Sequence, residues 1–186
     1  MNKCFLNESL REKPTIRWAF CFWREITLKF NRLSSQFVDK TKGLPEVLID
    51  KGRGYCVAEI EYKGLYFAVP LRTKLDHLNG KAIKIGGAPT AFITDTVTEA
   101  KRGLCYRGLD YQKALLLEDQ SKDLSSNYPL SDNSQKTILN DNEFKIGKEF
   151  KRYVDSYVRA QKRNLPFKSN FFKSTLCNYH DELGID

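Results

Sequence analysis

Residues 54–72 read GYCVAEIEYKGLYFAVPLR, and their register decides the fold. Lys63-Gly64 is a two-residue turn signal, with glycine where a positive φ is needed. Folding the chain back at that turn sets Tyr62 against Leu65, Ile60 against Phe67, Ala58 against Val69 and Cys56 against Leu71. Every pair is apolar, as the core-facing surface of an antiparallel hairpin requires. The opposite surface pairs Glu61 with Tyr66, Glu59 with Ala68, Val57 with Pro70 and Tyr55 with Arg72. The register thus brings Arg72 to the end of the hairpin that holds Arg53 and Tyr55.

Outward from the hairpin, short strands are expected at AIKI (82–85), AFIT (91–94) and YQKALLL (111–117). Gly86-Gly87 and RGLCYRGLD separate them. Several short strands with glycine-rich links predict a small antiparallel barrel or sandwich over about residues 54–117. Residues 119–142 read as a polar loop. Over 143–163, Ile146, Phe150, Tyr153, Val154, Tyr157 and Val158 recur at helical spacing. Pro166 forbids continuation, and a last helix is expected to carry Phe172, Leu176, Tyr179 and Leu183 on one face, with Gly184 as its stop. Before the hairpin, LSSQFVDKTKGLPEVLID holds a short helix ending ahead of Gly43. The division expected is an N-terminal extension at 1–35, whose apolar residues follow neither helical nor strand period, and one domain at 36–186 with its C-terminal helices at 143–183.

The chain of 186 residues is long enough for a real core. Its five cysteines (Cys4, Cys21, Cys56, Cys105 and Cys177) are odd in number and form no C-x-x-C pair, so reduced thiols in a cytoplasmic protein are expected, with neither a disulfide frame nor a metal site. The longest apolar run near the N-terminus, WAFCFW, is too short for a secretion signal or a membrane span. The net charge is +8, and only residues 119–142 are acidic on balance, with two cations and four anions. Positive charge on the folded segments favours a polyanion such as RNA, although a basic surface also serves solubility alone. On the long helix, Lys148, Lys151, Arg152, Arg159 and Lys162 share the polar face with only Asp155. A solvated face usually mixes signs, so this stripe points the same way.

The chemistry concentrates just after the hairpin. Arg72, Thr73, Lys74 and His77 fall within six residues at the end of a strand. RNA cleavage without a metal needs a base for the 2′-hydroxyl, an acid for the 5′-oxygen and donors for the charged phosphate oxygens. Arginine forks onto phosphate, threonine donates a hydroxyl proton, lysine is a point charge and histidine serves as acid or base. An ordinary solvated loop, with Arg72 paired to Glu59 or Glu61, is the plain alternative. No phosphate loop, nucleophile elbow, zinc-protease helix, calcium loop or dinucleotide fingerprint competes. His180 and Tyr179, near the C-terminus, read as packing residues.

KGRGYCVAEIEYKGLYFAVPLRTKLDH, then GLDYQKALLL and TLCNYHDELGI, resemble the endoribonuclease toxins of type III toxin–antitoxin systems, in the TenpN branch of the ToxN/AbiQ family. The likeness runs over about residues 36–186. It implies an α+β fold, a small antiparallel SH3-like β-barrel decorated with α-helices. It also implies a metal-independent endoribonuclease with no cofactor, active in phage defence by abortive infection. The product would be a 2′,3′-cyclic phosphate. The inhibitor would be a pseudoknot antitoxin RNA that the toxin cuts from a precursor and holds in a closed toxin–RNA assembly. Leu71-Arg72-Thr73-Lys74 stands where ToxN-like relatives carry a Thr-Ser-Pro-Lys type active loop. Thr73 matches the hydroxyl, Arg72 departs from that pattern, and the second charge falls to Lys74, His77 or Lys81. Arg53, Tyr55, Lys81, Lys84, Lys148, Lys151, Arg152 and Arg159 are the expected RNA contacts, with Tyr55 as a stacking platform. Two other readings stay open: a barrel nuclease held by a protein antitoxin, and a non-catalytic RNA-binding module.

Overall fold

The computed structural model describes residues 28–48, 56–101, 103–127 and 130–185. Strand β1 (Lys29–Leu33) leads into helix α1 (Ser35–Thr41), which Ser34 caps by accepting from the Phe37 N–H. The hairpin follows as β2 (Cys56–Tyr62) and β3 (Leu65–Arg72). Two small hairpins come next: β4 (His77–Leu78) with β5 (Lys81–Ala82), and β6 (Lys84–Ile85) with β7 (Ala88–Pro89). Then come β8 (Ala91–Glu99), β9 (Gly103–Asp110), a 3₁₀ turn at Tyr111–Lys113 and β10 (Leu115–Leu117). The chain ends with α2 (Gln120–Asp123), β11 (Leu124–Asn127), α3 (Asn133–Asp141), α4 (Glu143–Lys162) and 3₁₀ turns at Pro166–Phe171 and Thr175–Asn178.

The hairpin has the register expected, from Val57↔Pro70 through Tyr62↔Leu65. Lys63 and Gly64 both have positive φ, +50° and +84°, as a tight two-residue turn needs. Ala58, Ile60, Tyr62, Phe67 and Val69 face the main core, where α4 packs Ile146, Phe150, Tyr153, Val154 and Tyr157 against them. The centre of the other surface is covered as well. Val57 and Ala68 join Leu33, Phe37, Leu115 and Leu117 in a second cluster. β3 is therefore buried on both faces at its middle, which explains its unbroken apolar run YFAVPL.

All strand pairs are antiparallel, so the fold is α+β. The sheet order is β11-β1-β2-β3-β9-β8, with β10 also paired to β3. Among the described residues nothing joins β8 back to β11, so the sheet is open and the closed barrel expected from the sequence is not formed. β1 sits between β2 and β11, which places Lys29–Leu33, from the stretch assigned to the extension, within the sheet itself.

Five expected elements are corrected, the first being the link RGLCYRGLD, which is strand β9 from Gly103 onward. The strand at 82–85 is two short strands broken at Ile83, whose carbonyl accepts instead from the Thr90 N–H (2.9 Å) and hydroxyl. The strand at 111–117 opens with a 3₁₀ turn because the Asp110 carboxylate captures the Gln112 N–H. The loop at 119–142 holds α2, β11 and α3, the two helices capped by Asp119 and Asp132. Arg107 bonds both Asp95 and Asp132 and so fastens α3 to β8. The last helix is two 3₁₀ turns, the second fixed by the Thr175 hydroxyl donating to the Gln112 carbonyl (3.1 Å). By contrast α4 runs almost as periodicity predicts, and Gly184 has φ +61°. No helix among the described residues is long and apolar enough to cross a membrane.

Candidate functional site

The last two residues of β3 change partner. Having paired with β2 as far as Pro70, the strand continues against β9 with Leu71↔Leu109 and Arg72↔Gly108. Gly108 allows this. Its φ is +153°, and a Cβ there would lie 1.9 Å from the Phe92 carbonyl oxygen, so any side chain would drive β8 and β9 apart. Two residues on, Asp110 accepts from Arg72 Nη1 through Oδ2 and from the Gln112 N–H through Oδ1 (3.1 Å). The Arg72 side chain is 29% exposed and that of Asp110 only 4%. Burial pushes the Asp110 carboxyl above the usual carboxylate range, against the pull of Arg72. Arg72 is therefore a guanidinium anchored from below and open to solvent on part of its surface.

Thr73 and Lys74 are exposed, and Leu75 is buried. The Leu75 N–H donates to the Tyr106 carbonyl (3.1 Å), which lays the loop along β9. His77 stacks on Tyr106 with ring centroids 3.9 Å apart and 36° between the planes. Its Nδ1 lies 3.3 Å from the Leu75 carbonyl. A carbonyl only accepts, so in the neutral ring the proton sits on Nδ1 and Nε2 is the basic nitrogen. Tyr106, Gly108 and Asp110 alternate along β9. Arg72 and His77 are thus seated on the same strand, with exposed Thr73 and Lys74 between them.

A polar chain continues from this point. Asp76 Oδ2 accepts from Lys173 Nζ (2.7 Å), and the Gln112 side chain bonds Asp76 as well. Lys173 first, with help from Gln112 and Arg72, holds the Asp76 carboxyl below its ordinary value despite partial burial. Beside Asp76 opens a cleft of about 220 Å³ lined by Lys84, Gln112, Asn170, Phe172 and Lys173 among others.

No family model, curated protein or solved structure matches the chain. Of the expected RNA contacts, Arg53 and Tyr55 lie outside the described residues. Lys81 is exposed on β5, and Lys84 is exposed at the rim of the cleft. Lys148, Lys151, Arg152 and Arg159 are all exposed on α4. Arg152 also donates to the Gly87 carbonyl (3.1 Å), tying α4 to the β6–β7 turn. Lys84, Lys145 and Arg152 surround Glu149, whose carboxyl burial nevertheless raises above its usual value. Among the described residues, no three of His, Cys, Asp and Glu gather as metal ligands.

The sequence did not single out Asp110, Gln112 or Lys173. GLDY at 108–111, which opens one of the stretches that carry the resemblance, has a structural reason for each letter: Gly108 for close approach, Leu109 and Tyr111 fully buried, Asp110 for Arg72. In NYHDELG, Asn178 bonds the Pro45 carbonyl, and His180 Nε2 lies 2.7 Å from the Tyr157 hydroxyl. His180 is a packing residue, as its position suggested. A buried aspartate immediately before a 3₁₀ turn carries no sequence signal for its ion pair, because its partner is 38 residues away.

Proposed function

We propose that this protein is a metal-independent endoribonuclease, acting as the toxin of a type III toxin–antitoxin system and restrained by a folded RNA. The observation that carries the reading is that Arg72 and His77 both rest against one strand, β9, Arg72 at Gly108 and His77 on Tyr106, with the exposed Thr73 and Lys74 between them in sequence. In this reading Arg72 forks onto a non-bridging phosphate oxygen, and Thr73 and Lys74 add donors to the charge that develops there. His77 Nε2 exchanges the proton with the 2′-hydroxyl or the 5′-oxygen. The O2′–P bond forms as the P–O5′ bond breaks, leaving a 2′,3′-cyclic phosphate and a 5′-hydroxyl. The exposed cations of α4 supply a surface for the antitoxin RNA. The open sheet is read as a relative of the SH3-like barrel, with α4 packed on one face and α1 on the other.

One observation favours a second reading. Arg72 is already paired with Asp110, as a structural arginine would be, and a non-catalytic RNA-binding module needs no more than that. Cleavage of a labelled single-stranded RNA in EDTA separates the two. The nuclease reading expects cyclic-phosphate ends from the native protein and at least about a hundredfold loss in kcat for His77→Ala with unchanged RNA affinity. Equal cleavage by native protein and His77→Ala, or none by either, overturns it.

A further inference from the structure

The cleft beside Asp76 has two properties that a phosphate site does not need. It carries exposed apolar surface, with Phe172 69% exposed and Ile83 41% exposed at its walls. It also carries a carboxylate beside an ammonium, Asp76 and Lys173, at 2.7 Å. Lys173 Nζ lies 5.6 Å from the centre of the Phe172 ring, so the aromatic and the ion pair are one constellation. An exposed phenylalanine next to a charged pair offers a flat ring to stack on beside a donor and an acceptor. The polar chain from Asp76 through Gln112 and Asp110 ends at Arg72, so whatever enters the cleft lies next to the cleavage loop.

We infer that this cleft is a base-reading subsite that takes guanine from single-stranded RNA. The inference rests on the RNA-binding part of the proposed function, and it names what that function reads. Stacking on Phe172 supplies affinity to any base that the cleft admits, because every base has a π face, and a base that the ion pair turns away does not gain it. Choice comes from the ion pair. A carboxylate only accepts and an ammonium only donates. Guanine turns two adjacent donors, N1–H and the N2 amino group, toward Asp76 and its O6 toward Lys173 or Lys84. Adenine and cytosine offer one donor group on that edge. Uracil places a second carbonyl against the carboxylate, which repels it. Asn170, exposed at the rim, is free to meet the sugar or the phosphate next to the base.

The test uses 2′-O-methyl RNA, which lacks the attacking hydroxyl, so binding is read independently of cleavage. Fluorescence anisotropy compares labelled octauridylate with the same strand carrying one central guanine, inosine or adenine. The guanine strand is expected to bind about tenfold tighter than octauridylate, and inosine, which lacks the amino group, to fall between. Phe172→Ala removes an exposed side chain. It should weaken the guanine strand by about tenfold and octauridylate by much less. Asp76→Asn should erase the preference for guanine over adenine. Equal affinity of the native protein for all four strands overturns the subsite, as does a preference that survives both substitutions. If the guanine preference is present but no unmodified RNA is cut, the subsite stands and the nuclease reading falls.

Discussion

The ion pair of Arg72 with Asp110 makes a quantitative prediction. Asp110 is nearly inaccessible and Arg72 about a third exposed, so water screens the pair from one side only. Removing one partner of a fully buried pair costs about 3–5 kcal/mol. The open side of Arg72 lowers the expected cost to about 2–3 kcal/mol for Arg72→Met, and to about 2 kcal/mol for Asp110→Asn, which keeps an acceptor for the Gln112 N–H. The double variant should cost about 1.5–2 kcal/mol less than the two single costs added together. Urea unfolding of the four proteins at neutral pH measures this. The pH dependence adds a sign. A carboxyl whose folded pKa is raised binds its proton more tightly in the fold, so its stability is full below the ordinary value of 3.8 and is lost as pH rises toward the folded pKa. Arg72→Met removes the stronger of the two cations that oppose that rise and leaves Lys113. Its deficit should therefore be large at neutral pH and shrink on acidification toward the ordinary carboxylate value. Costs that add within about 0.5 kcal/mol, or a deficit that does not change with pH, would refute the account of Arg72 as a guanidinium anchored on a buried carboxylate.

Gly108→Ala should destabilise the protein by about 3–5 kcal/mol, because it combines an unfavourable φ with a clash against the Phe92 backbone, where no side chain can yield. Loss of less than about 1 kcal/mol in thermal or urea unfolding would show that β8 and β9 do not approach as described. Glu149→Gln should raise the melting temperature at neutral pH, since burial disfavours the charged form, and the gain should vanish below the ordinary carboxyl value of 4.5. A melting temperature unchanged or lowered at neutral pH counts against that. Replacing Lys151 and Arg152 by glutamate should weaken binding of a folded RNA and flatten its salt dependence by about two units of slope, with little change in the cleavage of short single strands. An equal effect on both RNAs would mean one shared surface.

The local patterns of the sequence determined the hairpin and the long helix. Strand alternation across Lys63-Gly64 set each pair from Val57↔Pro70 to Tyr62↔Leu65, and the spacing of Ile146, Phe150, Tyr153 and Tyr157 set α4 and its buried face. Period alone is enough there, because a slip of one residue would turn Glu59 and Glu61 of the hairpin into the main core. The tertiary structure decided which strand takes over the end of β3, that the sheet stays open, and that polar residues 119–142 fold around aspartate caps. It also decided the site. Asp110 reaches Arg72 across 38 residues and Lys173 reaches Asp76 across 97, and polar partners so far apart leave no periodic trace in the chain. Burial selects those contacts: a carboxylate shut away from water needs a cation, and only the folded packing determines which one is within reach.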